Sequence, residues 1–333
     1  MKLLITGGLG FIASNFIRYM LKEHSDVRIT NIDNLSIGAN PANLKDVKND
    51  PRYRFVKGNV TDFKLMSKLA KNADVIVNAA AETHVDRSIS NPHLFLKSNT
   101  IGTFIVLEAI RKINPSIRML QVSTDETYGD IVNGSFTEDS RLKPSNPYSA
   151  SKCAADLFAL AYNRTYALNV MITRCTNNFG PYQSPEKLIP KTIIRASLDL
   201  PIPVYGAGDQ VRDWLYVIDH CAALNQVIER GKAGEIYNIS SGNEKTTFQV
   251  VEAILNLLDK SKDLIESVEN RPGSDVRYSL DSSKLRSELG WRPKHPFDES
   301  LKETVEWYLK KKSWWKPQAS KKMLHPTPWK IKW

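Results

Sequence analysis

The sequence predicts an α/β protein, a doubly wound parallel sheet followed by a smaller mixed α/β lobe. Three observations carry that reading. Short apolar strands alternate with segments of helical apolar spacing through the first half of the chain. A glycine-rich turn joins the first strand to the first helix. Past residue 175 the alternation loosens, and proline and glycine cluster in 178–190 and 200–209.

The elements follow in order. Lys2–Thr6 is a short apolar strand, Phe11–Leu21 a helix, Val27–Asp33 and Tyr53–Lys57 strands, and Phe63–Lys71 a helix. Asp74–Asn78 is an apolar run ending in Ala79-Ala80-Ala81, Phe95–Arg111 one long helix, and Arg118–Ser123 a strand. A helix from Tyr148 to about Ala167 and a strand at Val170–Arg174 continue the pattern. Helices are expected again at Phe248–Leu258 and Asp298–Lys310. The predicted organisation is a nucleotide-binding domain at 1–175, with later segments returning to it, a substrate lobe at 176–315 and a basic tail at 316–333. Residues Trp314 to Trp333 mix Trp, Lys and Pro and are expected to be peripheral.

Composition narrows the function classes. Charged residues make up 25% and hydrophobic ones 41%, which suits a packed core rather than disorder. No apolar run reaches the roughly 20 residues that cross a bilayer, and the apolar start is too short for a signal peptide. Cys153, Cys175 and Cys221 stand far apart, so neither a disulfide framework nor a metal site is expected, and a cytoplasmic location fits. The net charge is +10, and nine lysines against two glutamates from Leu301 onward supply seven of those charges. Basic character confined to one end argues against nucleic acid as a partner. No membrane partner is expected either.

Three motifs carry chemistry. Gly8-Leu9-Gly10-Phe11-Ile12-Ala13 matches G-x-G-x-x-A between a strand and a helix, where glycines let backbone approach a pyrophosphate at a helix N-terminus. Asp33 ends the second strand, placed to accept ribose hydroxyls and to repel a 2′-phosphate, so NAD is favoured over NADP. The reading is therefore a Rossmann-type sheet. Tyr-x-x-x-Lys occurs at Tyr53/Lys57, Tyr148/Lys152 and Tyr308/Lys312. The first lies in a strand, where four residues span about 13 Å, and the third sits among lysines on a solvated helix face. Tyr148 and Lys152 share one helix face behind Pro147, and an ammonium beside the phenol, with a nicotinamide charge, would favour the phenolate. Asp125-Glu126 follows a strand, at the carboxyl edge where open α/β sheets bind ligands, and unequal surroundings could make one an acid and the other a base. Thr124 adds a hydroxyl there.

Longer segments then resemble a known family. Ala80-Ala81-Glu82-Thr83-His84-Val85-Asp86-Arg87-Ser88, Ser123 to Gly129, Asn177-Asn178-Phe179-Gly180-Pro181-Tyr182, Pro185 to Pro190, Gly208 to Tyr216 and Arg271-Pro272-Gly273 resemble the nucleotide-sugar dehydratases of the extended short-chain dehydrogenase/reductase family. The resemblance implies oxidation of a hexose C4 hydroxyl on bound NAD, loss of water across C5 and C6, and hydride return to C6. It implies Tyr148 as the C4 base, Lys152 as its support, Glu126 as the C5 base, Asp125 as the acid at C6 and Thr124 as a holder of the sugar. It implies NAD contacts at Gly7, Gly10, Phe11, Ile12, Asp33, Asn34, Leu35, Ser36, Asn59, Val60, Ala79, Ala80, Ala81, Ser98 and Asn178, besides Tyr148 and Lys152. A substrate groove is implied at Thr83, Thr124, Asn177, Lys187, Leu188, Pro203, Val204, Tyr205, Arg212, Thr247, Arg271 and Ser274. Lys187, Arg212 and Arg271 suit a diphosphate. The favoured substrate is dTDP-glucose, with a homodimer paired through the helices around Phe95–Arg111 and Tyr148–Ala167, and a place in deoxysugar biosynthesis such as that of rhamnose.

Three positions depart from the family pattern: Asn59 replaces an acid near the adenine, Ser274 a histidine, and Thr247 an asparagine. Alternatives stay open. A UDP-sugar dehydratase or a UDP-sugar 4-epimerase would use the same scaffold, though an epimerase has no need of Asp125 and Glu126. A non-catalytic NAD-sensing protein would have no need of Tyr148 and Lys152.

Overall fold

The computed structural model describes residues 1–333. Its first half runs β1 (Lys2–Thr6), α1 (Phe11–Glu23), β2 (Arg28–Asp33), β3 (Tyr53–Lys57), α2 (Phe63–Ala70), β4 (Val75–Asn78), α3 (Val85–Ser90), α4 (Pro92–Phe95), α5 (Gly102–Ile113), β5 (Arg118–Thr124), α6 (Pro147–Tyr166) and β6 (Val170–Cys175). The second half runs β7 (Asn177–Phe179), α7 (Leu188–Ser197), β8 (Ile202–Tyr205), β9 (Val211–Tyr216), α8 (Val217–Arg230), β10 (Ile236–Ile239), β11 (Glu244–Thr246), α9 (Thr247–Leu257), β12 (Ile265–Val268), α10 (Ser283–Leu289), α11 (Phe297–Lys310) and α12 (Lys312–Trp315).

Seven strands form one sheet in the order β10-β6-β5-β4-β1-β2-β3, with every pair parallel. Alternation along each strand feeds two layers. Leu3 and Ile5 pack with Phe16, Ile17 and Met20 of α1 and Leu224 and Val227 of α8, while Leu4 faces Met66 of α2, Val106 and Ile110 of α5 and Ala159 of α6. The strand order reverses between β1 and β4, and a crevice opens at such a switch point beyond the carboxyl ends. The chain returns to this domain after residue 175, for β10 pairs with β6 and α8 packs beside α1. Two small sheets, β11-β9-β7 and β12-β8, build the other lobe with α7, α9 and α11.

Two expectations need correction. The long helix expected at Phe95–Arg111 is interrupted by a π-helical turn at Leu96–Ile101. The cause lies in its polar side chains. Asn99 Nδ2 donates to Ser151 Oγ at 2.9 Å and to the Glu82 carbonyl at 3.0 Å, and Thr100 Oγ1 donates to the Ser151 carbonyl at 3.0 Å. These bonds tie the widened turn to α6, and such turns recur at functional sites. The segment after residue 313 is not peripheral: Trp314, Trp315, Leu324 and Trp329 are buried. Trp314, Trp315 and Leu324 complete the apolar core of the second lobe, and Trp329 packs on Tyr205, which outweighs the solvation of the lysines between them.

Candidate active site

The turn after β1 shows why glycine stands there. Gly7 has φ +69°, and a Cβ on it would lie 2.7 Å from the Ala80 Cα. Only a residue without a side chain lets the turn sit this close to the end of β4. Asp33 ends β2 facing the same turn; it accepts from the Leu9 amide at 3.0 Å and the Leu35 amide at 2.8 Å. Burial raises its carboxyl above the usual range, and those two amides work against the rise. The first turn of α1 lies beside it, so the donor set fits a dinucleotide: open backbone amides for the pyrophosphate and one carboxylate for a ribose.

A cavity of about 250 Å³ runs along this edge. It brings together Gly7, Gly10, Phe11, Ile12, Asp33, Asn34, Ser36, Val60, Ala79, Ala80, Ala81, Ser98 and Asn178, to which the resemblance assigns the cofactor. It also takes in Thr83, Thr124, Asp125, Glu126, Tyr148 and Lys152. Leu35 and Asn59 do not reach its wall. Leu35 contributes its amide to Asp33 at φ +61°, with its side chain outward. The Asn59 side-chain oxygen is already taken by the amide and hydroxyl of Thr61, at 3.0 and 2.9 Å.

Three elements, α6, β5 and β6, set the side chains to which the resemblance gives chemistry. α6 begins with a reciprocal cap, the Asn146 side chain accepting from the Ser149 amide at 3.0 Å while Ser149 Oγ accepts from the Asn146 amide at 3.2 Å. Asp156, two turns beyond Tyr148, accepts from Arg174 Nε of β6 at 2.9 Å and from Ser123 Oγ of β5 at 3.0 Å. This buried junction fixes the Tyr148 helix against the turn that carries Thr124, Asp125 and Glu126. Thr124 Oγ1 donates to Asp125 Oδ1 at 3.1 Å, and the other Asp125 oxygen is buried with no partner.

Electrostatics separate the two carboxyls. Burial, then the neighbouring Glu126, push Asp125 up to about 8. Burial raises Glu126 as well, and Arg271, Lys187 and Arg212 limit that rise. Tyr148 differs from expectation. Burial, followed by Glu126 and Cys175, holds its phenol well above the usual value, and the Thr124 hydroxyl opposes them. Lys152 does not offset this, because its Nζ donates to the Val122 carbonyl at 2.6 Å and burial lowers its own value. One helical turn beyond Tyr148, the ammonium meets the backbone of β5 first.

A second cavity of about 190 Å³ opens from the first, sharing Glu126, Asn177, Glu186 and Lys187. Leu188, Pro203, Tyr205, Arg212, Thr247, Arg271 and Ser274, to which the resemblance assigns the substrate, line it. Val204 does not: it alternates inward along β8, is 2% exposed, and packs with Ala196 and Val251. The wall includes side chains that sequence reasoning missed, among them His84, Asp86, Glu186, Lys191 and Tyr278. Asp86 accepts from Arg271 Nη1 at 2.9 Å and from the Tyr205 hydroxyl at 3.0 Å. Glu186 pairs with Arg87 at 3.1 Å, and Arg87 also pairs with Glu82 at 3.0 Å. Asp86 and Glu186 lay inside quoted segments; Tyr278 carried no signal. Arg212 stacks over Tyr278 at 4.2 Å and donates to the Asp275 carbonyl at 2.9 Å.

The family model for GDP-mannose 4,6 dehydratase matches residues 4–304. The chain belongs to this family. Among its relatives, the low-salt glycan biosynthesis protein Agl12 of Haloferax volcanii is 48% identical over 93% of this chain and 99% of its own. The dTDP-glucose 4,6-dehydratase of Streptomyces niveus is 44% identical over 96% of each chain. The solved structure of DesIV, a dTDP-glucose 4,6-dehydratase from Streptomyces venezuelae with NAD bound, superposes with a TM-score of 0.94 at 44% identity, covering 96% of this chain and all of that one.

Proposed function

We propose that the chain converts dTDP-glucose to dTDP-4-keto-6-deoxyglucose and water, with NAD as a resident cofactor regained at the end of each cycle. Membership of the family and the similarity to dTDP-glucose 4,6-dehydratases support the activity. One observation carries the choice of dehydration over epimerisation: adjacent carboxyls in one cavity, with Asp125 pushed to about 8 and Glu126 facing three cations. That places a proton donor beside a second carboxyl whose charged form three cations favour.

The residues that would hold NAD are the turn at Gly7 to Ile12, Asp33 and the alanines after β4. When bound, NAD accepts hydride from the sugar and returns it. In our reading Tyr148 Oη takes the C4 hydroxyl proton. Its high affinity for a proton in this structure means that a positive charge must arrive nearby before it serves as a base. Lys152, anchored on Val122, holds the floor of that site. The C4 carbonyl acidifies C5–H, and Glu126 removes that proton. Asp125 protonates the C6 oxygen, which leaves as water, and Glu126 then returns its proton to C5. Lys187, Arg212 and Arg271 face the diphosphate from the second cavity.

We further read residues 1–175, with the returning β10 and α8, as the NAD half and the remainder of 176–315 as the sugar lobe. A homodimer is supported by apolar side chains left exposed on the two helical segments expected to pair: Leu94, Leu96 and Ile101 on one, Leu157, Phe158 and Tyr166 on the other. The three free cysteines suit a cytoplasmic site, and no helix is long and apolar enough to cross a membrane. A product of this kind fits deoxysugar biosynthesis. Mass spectrometry after parallel incubation with dTDP-glucose and UDP-glucose tests the activity. Loss of one water from the dTDP sugar is expected; an unchanged mass with inverted C4 would replace the reading with epimerisation.

A further inference from the structure

We propose that residues 316–333 act as a positioning strap for the sugar-side cavity, with Trp329 its principal contact; this rests on the reading of that cavity as the nucleotide-sugar site. No strap residue lines either cavity, so the segment acts through others.

The strap is anchored at both lobes. Just before it, Trp314 Nε1 donates to Asn43 Oδ1 at 2.9 Å, and Asn43 Nδ2 donates to the Leu9 carbonyl in the glycine turn at 2.8 Å. The chain then crosses α7, where Arg195 Nη1 donates to the Leu324 carbonyl at 2.8 Å and Lys191 Nζ donates to the His325 carbonyl at 3.2 Å. Lys330 pairs with Glu269 at 2.5 Å. Trp329 stands edge-on to Tyr205, with ring centroids 4.9 Å apart and planes at 90°. Trp333 lies 5.6 Å from the Arg87 guanidinium and 6.4 Å from the His84 ring.

Four of the groups touched belong to the cavity or brace it. Lys191, Tyr205 and His84 line the wall, and Arg87 holds Glu186. Tyr205 donates to Asp86, whose other oxygen takes Arg271. A route of direct contacts thus runs from Trp329 through Tyr205 and Asp86 to a guanidinium that faces the diphosphate. Without the His325 carbonyl the buried Lys191 ammonium would lose its hydrogen-bonding partner, and a buried charge needs one. The strap therefore fixes where the cations stand and leaves the reacting groups alone.

The test compares wild type with Trp329→Ala and Trp329→Phe in steady-state turnover of dTDP-glucose, with NAD content measured on each. An edge-on aromatic pair contributes enough that losing it should raise KM about fivefold to tenfold. We expect kcat and NAD content to stay within about twofold of wild type, and Trp329→Phe to restore most of the KM. Unchanged KM in Trp329→Ala overturns the proposal, and so does a fall in kcat and NAD content together, which would mark general damage. If Trp329→Ala does not fold, Trp333→Ala reads the same KM shift through Arg87. Should wild type itself show no turnover, the functional reading fails separately. Calorimetric dTDP affinity then decides the strap: weakened in Trp329→Ala supports it, equal affinity overturns it.

Discussion

The cofactor side and the sugar side of this cleft are built from different materials. Backbone amides, alanines and glycines form most of the first, drawn from the ends of neighbouring strands of the sheet: Gly7 and Gly10 to Ile12 after β1, Asp33, Asn34 and Ser36 after β2, Ala79 to Ala81 after β4. Crossed charges form the second, drawn from segments far apart in the chain: Asp86, Glu186, Lys187, Lys191, Arg212 and Arg271. Burial lowers both Lys187 and Lys191, the latter to about 8, with Asp86 and Glu186 opposing. A wall of shape costs little to keep empty. A wall of buried charge is electrostatically uncomfortable until a ligand of opposite sign arrives. The difference teaches that one side recognises by fit and the other by relief of charge.

Substitutions should break this comparison in a ranked way. The largest effect is expected where the two sides meet. Glu126→Gln should lower product formation by about a thousandfold, within the usual span for a lost proton-transfer group. C4 oxidation and NAD content should persist in it, visible as reduced cofactor absorbance without dehydrated product. Full turnover in that variant would remove Glu126 from its role. Next comes a pure test of fit. Gly7→Ala places a Cβ 2.7 Å from the Ala80 backbone at φ +69°. The conformation alone costs about 1–2 kcal/mol, and the clash adds to it. NAD affinity should fall about thirtyfold or more, while dTDP binding, measured by calorimetry, should hardly move.

The same contrast explains what could be read from the chain. The fold and the cofactor rim were legible because a strand, a glycine turn, a helix and Asp33 are contiguous and each obeys a local rule. Asp125, Glu126, Tyr148 and Lys152 were legible as types at a sheet edge, but the direction of Tyr148's shift was not, since its burial, and then the approach of Glu126 and Cys175, exist only once α6 has packed. Val204 was misplaced by one step of strand alternation, although its neighbours Pro203 and Tyr205 do face the cavity. Asp86 and Tyr278 were hidden for a deeper reason: their roles exist only once Arg271 and Arg212 arrive from distant segments. The interrupted helix at Leu96–Ile101 depended on Asn99 finding Ser151, 52 residues away.

Three predictions sharpen the electrostatic half. Asp125 must keep its proton to act as an acid, so turnover should fall about tenfold per pH unit above about 8, the value to which burial lifts it. Stability carries the same signature. The unfolded carboxyl ionises near pH 4, the folded one near 8, so the unfolded chain binds fewer protons between those values and stability falls as pH rises. Asp125→Asn removes that dependence. Its Tm should exceed wild type by a margin that grows from pH 5 to pH 8, and a constant margin would contradict the raised value. Asp86→Asn should be milder. It weakens charge-assisted bonds to Arg271 and Tyr205, and KM for dTDP-glucose should rise about tenfold with kcat little changed.

The smallest effect belongs at the adenine end, where shape rather than charge should decide. Asn59 stands where the resemblance implies an acid, yet its oxygen is engaged by the Thr61 amide and hydroxyl. An aspartate would accept the same two bonds through one oxygen and hold the second free for an amine. It would not change the cavity wall, because Gly58 and Val60 form that wall and residue 59 does not. A partly exposed charge gains little in water, about 0.5 kcal/mol, so Asn59→Asp should tighten NAD binding by about twofold. Fluorescence titration of apoprotein with NAD resolves a change of that size. A tightening of tenfold or more would mean that residue 59 contacts the adenine directly, and that charge governs recognition on the cofactor side as it does on the sugar side.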